Sequence, residues 1–128
     1  MIQEFFKFLG QIMKLKSEKQ YQQALDLIDE AAQSFIKIDL NEIMKNEDTI
    51  NQILTNKLLT TDQLGMLAEL LKIKADIYLD TNLRFSAITH YELSLAIYEQ
   101  IHSESKDYSM DRVTKIESIR AALSEIIG

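Results

Sequence analysis

The chain contains no proline and only three glycines among its 128 residues, so it has few positions at which it can turn sharply. An all-β sandwich or barrel needs frequent turns, and Gly and Pro are the residues that usually supply them. Hydrophobic residues make up 46% of the chain, enough for a core of normal size and too many for a disordered segment. The sequence therefore predicts an all-α fold in a single domain spanning residues 1–128.

Charge and cysteine content exclude several classes of function. Twenty acidic residues against fourteen basic ones give a net charge of −6, whereas a nucleic-acid-binding domain normally carries a basic excess. There is no cysteine, which excludes disulfides, thiolate catalysis and cysteine-ligated metals. No segment approaches the roughly 18 uninterrupted apolar residues of a membrane span, and the first residues lack the cleavage site of a signal peptide. We expect a cytoplasmic protein with no nucleic-acid partner and no membrane span.

Apolar residues recur at three- and four-residue steps along most of the chain, which is the pattern of amphipathic helices. Thr60 and Gln63 have the spacing of a capping box, and Asn82 suits the left-handed backbone of a tight link between helices. About six helices are predicted. They form a first hairpin at about 2–38, an insert of one or two short helices at 39–60, a second hairpin at about 61–103 and a capping helix at about 109–127.

The two predicted hairpins share one pattern of side chains at an offset of 63 residues. In the second hairpin, Ala75 and Ala87 are small enough to let two antiparallel helices cross closely, and Tyr78 and Tyr91 fill the space around that crossing. Ser94 continues the pattern with another small side chain. The corresponding residues of the first hairpin are Ile12, Leu15, Ala24, Ile28 and Ala31.

This pattern resembles the tetratricopeptide repeat (TPR), a helical hairpin of about 34 residues with small and aromatic residues at these spacings. The whole chain also resembles an uncharacterised family of short bacterial TPR-like proteins. The resemblance implies TPR-like hairpins and a non-enzymatic role as a protein–protein interaction or scaffold module. It implies no particular binding residues, because the positions of the family's carboxylate clamp hold Leu9, Met13, Lys72 and Asp76.

An apolar cluster on the first helix is the candidate interaction surface. The apolar face of this helix covers about 180°, which exceeds what one neighbouring helix buries. Three interpretations are open: ordinary core, a contact with a partner protein or with a second copy in a homodimer, and a helix lying on a membrane surface. The residues of the cluster are Phe5, Phe6, Phe8, Leu9 and Met13.

No residue pattern singles out catalytic, metal-binding or cofactor-binding chemistry. His90 and His102 occur without an HExxH motif, and the carboxylates of the second helix occur without the Glu-x-x-His motif of a di-metal bundle. Those carboxylates, interpreted as a solvated acidic face, belong to Asp26, Asp29 and Glu30. We therefore predict no catalytic residue, no metal and no cofactor.

Two other functions remain open from the sequence. The stronger is a small-molecule or peptide-binding protein with a pocket between the hairpins, lined by Tyr78, Tyr91, Tyr98 and Met66. The weaker is an enzyme, which would need a cleft with two titratable groups whose pKa values are displaced in opposite directions.

Overall fold

The computed structural model describes residues 2–128, and every regular element in this range is helical. The prediction of an all-α fold is confirmed. Two compact units divide the chain, one up to Met66 and the other from Leu67 onward. The seven α-helices of the described residues are α1 (Ile2–Ser17), α2 (Tyr21–Ala31), α3 (Leu40–Lys45), α4 (Glu47–Thr55), α5 (Thr61–Asp80), α6 (Arg84–Glu104) and α7 (Met110–Ile127).

Side-chain caps determine where several helices begin. At the start of α5, the Gln63 amide donates to Thr60 Oγ1 at 3.1 Å, and the Thr60 amide donates to Gln63 Oε1 at 3.0 Å. This reciprocal pair is the predicted capping box. The side chains of Asp39, Asn46 and Ser109 accept backbone N–H groups at the starts of α3, α4 and α7. The insert therefore contains two short helices, each with its own cap.

The first unit contains a helical hairpin made of α1 and α2, which pack against each other. Both helices bury residues at three-, four- and seven-residue steps, the spacing of one helix face. The buried residues of this hairpin are Phe5, Ile12, Ala24, Ile28 and Ala31. The short helices α3 and α4 also contact each other in this unit and bury Leu40, Ile43 and Ile53.

Helix α2 does not continue as an α-helix to Ile38, as its apolar pattern predicted. It passes into one π-helical turn, Ala32–Ile36, and ends at Lys37, whose φ of 60° is left-handed. The Lys37 amide donates to the carbonyl of Ala32. A π-helical turn accommodates one residue more than an α-helical turn, and here both Phe35 and Ile36 are buried.

The second unit contains the rest of α5 together with α6 and α7. Helix α6 packs against α7, and the Arg84 guanidinium donates to the carbonyl of Ile126 in the last turn of α7. This bond satisfies one of the carbonyls that a helix end leaves without a partner. Helix α7 buries a single stripe, as predicted for a closing helix, and the buried residues of that stripe are Ile116, Ile119 and Ile126.

The turns of the two hairpins have the same hydrogen bonding at an offset of 63 residues. Lys19 and Asn82 occupy the left-handed position, with φ values of 61° and 63°. Each turn is a Schellman motif, the usual way in which a helix ends at a left-handed residue. The matching N–H donors and acceptors are Glu18–Lys14, Lys19–Lys16, Gln20–Leu15 and Ala24–Gln20 in the first turn, and Thr81–Ile77, Asn82–Leu79, Leu83–Tyr78 and Ala87–Leu83 in the second.

The burial of the repeated residues also matches. Four of the five predicted pairs are buried in both hairpins, and the remaining pair is half-buried in both. The half-buried pair is Leu15 with Tyr78. The buried pairs are Ile12 with Ala75, Ala24 with Ala87, Ile28 with Tyr91 and Ala31 with Ser94.

Replacing Lys19 with glycine is expected to stabilise the protein. A left-handed conformation costs a non-glycine residue about 1 kcal/mol, and glycine adopts it without that cost. We expect Lys19→Gly to raise the free energy of unfolding by about 0.5–1 kcal/mol in urea titrations. Lys14→Gly, an exposed change inside α1, should lower it by about 1 kcal/mol. Destabilisation by both changes would contradict the left-handed cap.

Candidate functional site

The structure divides the predicted cluster on α1 into a buried part and an exposed part. Phe5 is only 4% exposed, and Phe8 and Leu9 are half-buried. Phe6 and Met13 are 61% and 46% exposed. One helix therefore carries both a core anchor and an uncovered apolar surface.

The buried part of the cluster is an aromatic contact between α1 and the π-helical turn after α2. The ring of Phe35 lies edge-on to the rings of Phe5 and Phe8, with centroid distances of 5.5 and 5.2 Å. Such edge-to-face pairs are favourable beyond the area that they bury. This contact buries Phe5 and covers part of Phe8, so Phe5 is not available to a partner.

The exposed part of the cluster forms a stripe along one side of α1. Ile2, which is 45% exposed, extends it toward the start of the helix. Helical geometry places the four side chains within an arc of about 60°. We call this set the α1 stripe, and it consists of the exposed Ile2, Phe6 and Met13 together with the half-buried Leu9 between them.

The second hairpin shows that its fold does not require apolar residues at these positions. At the offset of 63 residues, Phe6, Leu9 and Met13 correspond to Glu69, Lys72 and Asp76 on α5. These three charged side chains take part in ion pairs within the second unit. The α1 stripe is thus a property of the first hairpin alone, and packing of such a hairpin does not account for it.

The charged counterparts lie in two similar networks that join α5 to α6. Tyr98 donates to Glu69 Oε2 at 2.7 Å, and Lys115 Nζ of α7 lies 2.6 Å from the same oxygen. Tyr91 donates to Asp76, which also pairs with Lys72 at 3.2 Å. Each carboxylate therefore accepts a hydrogen bond from a tyrosine hydroxyl and pairs with a lysine.

The residues predicted to pack the second hairpin are distributed as follows. Ala75 and Ala87 are completely buried. Tyr91 is also buried, and its hydroxyl group donates a hydrogen bond to Asp76. Tyr78 is half-buried, and its ring centroid lies 5.0 Å from that of His90. A further close contact joins the helices, because Ser94 Oγ of α6 donates to the carbonyl of Ala68 in α5 at 2.7 Å.

Burial raises the pKa of both network tyrosines well above the usual value for a phenol. For Tyr98 the largest cause is loss of solvent, followed by the neighbouring charge of Glu69 and the hydrogen bond to it. For Tyr91 the loss of solvent again comes first, and the hydrogen bond to Asp76 and its charge add to it. Both phenols therefore stay protonated in the folded chain at pH values where an exposed tyrosine ionises.

These raised pKa values predict a loss of stability in alkali. Above pH about 10 the unfolded chain releases phenol protons that the folded chain retains, so the free energy of unfolding falls by about 1.4 kcal/mol per pH unit for each tyrosine. Tyr98→Phe should reduce this slope, measured by urea titrations at several alkaline pH values. Tyr108→Phe, a change at an exposed ring, should leave the slope unchanged. Equal slopes in all three proteins would contradict the buried network.

The histidines and carboxylates are not assembled into a metal site. His90 is buried with Nδ1 2.7 Å from the carbonyl oxygen of Ser86, and His102 is exposed and accepts from Arg112 Nε at 3.4 Å. Within residues 2–128, no three His, Asp or Glu side chains converge as metal ligands. Of the three carboxylates predicted to form a solvated face on α2, Asp26 and Glu30 are exposed and Asp29 is half-buried.

A cleft of about 320 Å³ lies between α6 and α7 in the second unit. Its charged side chains include Glu99 and Arg120, which form an ion pair at 3.0 Å with both partners largely in solvent. Its apolar contribution is limited to Val113 and Ile116. The cleft does not include any of the four residues predicted to line a ligand pocket.

Phe85 is a large aromatic residue of α6 that lies outside the buried part of this helix, and its side chain is 88% exposed. The buried stripe of α6 includes Ala87, Tyr91 and Tyr98, and helical geometry places Phe85 about 180° from the middle of that stripe. A rotation of about 100° per residue predicts the exposure of Phe85, whereas the three- and four-residue spacing of apolar residues does not.

No helix among the described residues combines the length and the apolar character that a membrane crossing requires. Compared with protein-family models, with curated proteins and with solved structures, the chain has no match in any of the three.

Proposed function

We propose that the chain is a non-enzymatic protein–protein interaction module, built from TPR-like hairpins, that contacts its partner through the α1 stripe. The partner is another protein or a second copy of the chain. The single observation that carries the proposal is the exposed apolar stripe at positions where the second hairpin has charged residues. Exposed apolar surface of this kind costs free energy in water unless a partner covers it.

The turn geometry supports the TPR-like part of the proposal. Two helical hairpins with matched hydrogen bonds at Lys19 and Asn82, and with matched burial at five side-chain pairs, are what an internal repeat produces. Repeat hairpins leave helix faces that need neighbours, and two hairpins provide few neighbours. A partner that supplies the missing contact is consistent with the exposed face of α1.

The experiment compares the wild-type chain with a variant in which Phe6 and Met13 are both changed to glutamate. Immobilised wild type should retain partner proteins from a lysate of its own source, and Phe6→Glu/Met13→Glu should lose them. Phe85→Glu, which removes an even more exposed aromatic ring outside the stripe, should retain them. Identical sets of retained proteins on all three would contradict the proposal.

Self-association is measured separately by sedimentation of the purified chain across a range of micromolar concentrations. A mass that rises with concentration in the wild type, and not in Phe6→Glu/Met13→Glu, would identify the second copy as the partner. Phe5→Glu is unsuitable for this test because Phe5 is buried, so the variant would report unfolding rather than loss of a surface.

A further inference from the structure

The charges around the α1 stripe indicate what kind of partner fits it. Helix α1 carries three lysines and one glutamate, whereas the whole chain has a net charge of −6. The basic residues are Lys7, Lys14 and Lys16, and the acidic residue is Glu4. The helix with the exposed apolar surface is thus a basic element of an acidic protein.

The positions of these charges on the helix strengthen the point. Helical geometry places Lys16 about 50° from the middle of the stripe, with Lys14 and Lys7 farther round at about 110° and 130°. Glu4 lies about 170° away, on the opposite side of α1. Lys7 and Lys14 are exposed, and long lysine side chains can bring their ammonium groups toward a ligand bound on the stripe. Among the charged residues of α1, the lysines therefore lie nearer to a ligand seated on the stripe than Glu4 does.

This charge pattern disfavours the most obvious self-contact. Pairing of two α1 stripes would bring the lysines of both copies close together, and like charges that face each other across a contact are unfavourable. A basic partner is disfavoured for the same reason. An acidic partner is favoured, because complementary charge speeds encounter and selects against wrong ligands.

The shape of the stripe fits a helix better than an extended segment. Its residues follow one another at steps of four, three and four, the spacing by which two packed helices interlock side chains. The stripe runs for about 16 Å along the helix axis, or about three turns. An extended strand repeats every second residue, so its side chains would not stay in register with these steps.

We propose that the α1 stripe binds an amphipathic helix of a partner protein, with apolar residues at three- and four-residue steps and an acidic polar face. This inference rests on the proposed function and adds the chemistry of the partner to it. The apolar face of the ligand covers Phe6, Leu9 and Met13. Its carboxylates pair with Lys7, Lys14 and Lys16.

The test uses two designed peptides of the same length and the same apolar positions, one with glutamate and one with lysine on the polar face. Binding to the full chain is measured by fluorescence anisotropy of a labelled peptide. We expect the acidic peptide to bind at least about tenfold more tightly than the basic one. The preference should weaken between about 0.05 and 0.5 M salt, because screening shortens the range of charge interactions.

Three variants assign the effect to the proposed residues. Phe6→Glu/Met13→Glu should abolish binding of the acidic peptide. Lys7→Glu/Lys14→Glu/Lys16→Glu should reverse the preference between the peptides, while circular dichroism shows that the variant stays helical. Lys106→Glu, a change at an exposed lysine in the loop between α6 and α7, should leave binding unchanged.

The outcomes separate this inference from the proposed function. Equal binding of both peptides to the stripe would overturn the acidic character of the partner and leave the interaction surface standing. Failure of both peptides to bind would overturn the helical ligand, and the retention experiment with Phe6→Glu/Met13→Glu would still test the surface itself. A self-association that requires the stripe would also overturn the inference, because the occupant would then be a second copy.

Discussion

Replacing Phe5 with alanine is expected to lower the free energy of unfolding by about 3–5 kcal/mol. The ring is almost completely buried and lies edge-on to Phe35 at 5.5 Å, so alanine removes both the burial and the aromatic pair. The space left behind adjoins Phe35, whose ring also packs edge-on against Phe8 and would lose that contact if it moved to fill the space. Urea titrations followed by circular dichroism measure the change.

The neighbouring residue provides the control for this prediction. Phe6→Ala removes the same number of atoms from a ring that is 61% exposed, so it should cost less than about 1 kcal/mol. The same change should weaken partner binding if the α1 stripe is the contact surface, whereas Phe5→Ala should act through stability. Similar losses of stability in both variants would mean that the two rings are not divided between core and surface.

Replacing Ala87 with leucine is expected to disrupt the second hairpin and to lower the free energy of unfolding by about 1–3 kcal/mol. Ala87 is completely buried on α6, one face of which is held against α5 by the Ser94 hydroxyl bond to the carbonyl of Ala68. Helical geometry places Ala87 on the same face of α6 as Ser94, so a leucine side chain there would enter the contact between α6 and α5. To make room, α6 would have to move away from α5 and give up the Tyr91 and Tyr98 hydrogen bonds.

Ala96→Leu is the matched control on the same helix. Ala96 is exposed on the side of α6 opposite to Ala87, so the extra carbon atoms enter solvent and the free energy of unfolding should change by no more than about 0.5 kcal/mol. A second readout is the near-ultraviolet circular dichroism of the tyrosines, which should change in Ala87→Leu only. An unchanged free energy of unfolding in Ala87→Leu would contradict a close crossing of α5 and α6 at this residue.

Local sequence signals predicted the helices well because their ends are determined locally. The Thr60–Gln63 capping box and the left-handed Asn82 depend on residues within one helical turn, so a single sequence contains the information. The π-helical turn at Ala32–Ile36 was not predicted. Within this turn Phe35 packs against α1, a contact between residues distant in sequence that no local spacing indicates.

The candidate surface was predicted only in part, for a similar reason. Periodicity places Phe5 and Phe6 on one broad apolar face, and it does not indicate which portion of that face a neighbouring helix covers. The hydrogen bonds from Tyr91 to Asp76 and from Tyr98 to Glu69 join separate helices, so the spacing of residues within one helix does not predict them. The internal repeat adds information that periodicity lacks, because it pairs the apolar residues of the α1 stripe with charged residues of the second hairpin.

The two tyrosine–carboxylate pairs have a mechanical consequence. Tyr91 and Tyr98 are seven residues apart on α6, and their acceptors Asp76 and Glu69 are seven residues apart on α5. Sliding one helix past the other by a single turn, about 5.4 Å, would break both pairs at once and also the Ser94 bond. These bonds therefore oppose sliding of α6 along α5. We expect the second hairpin to deform little under an applied force.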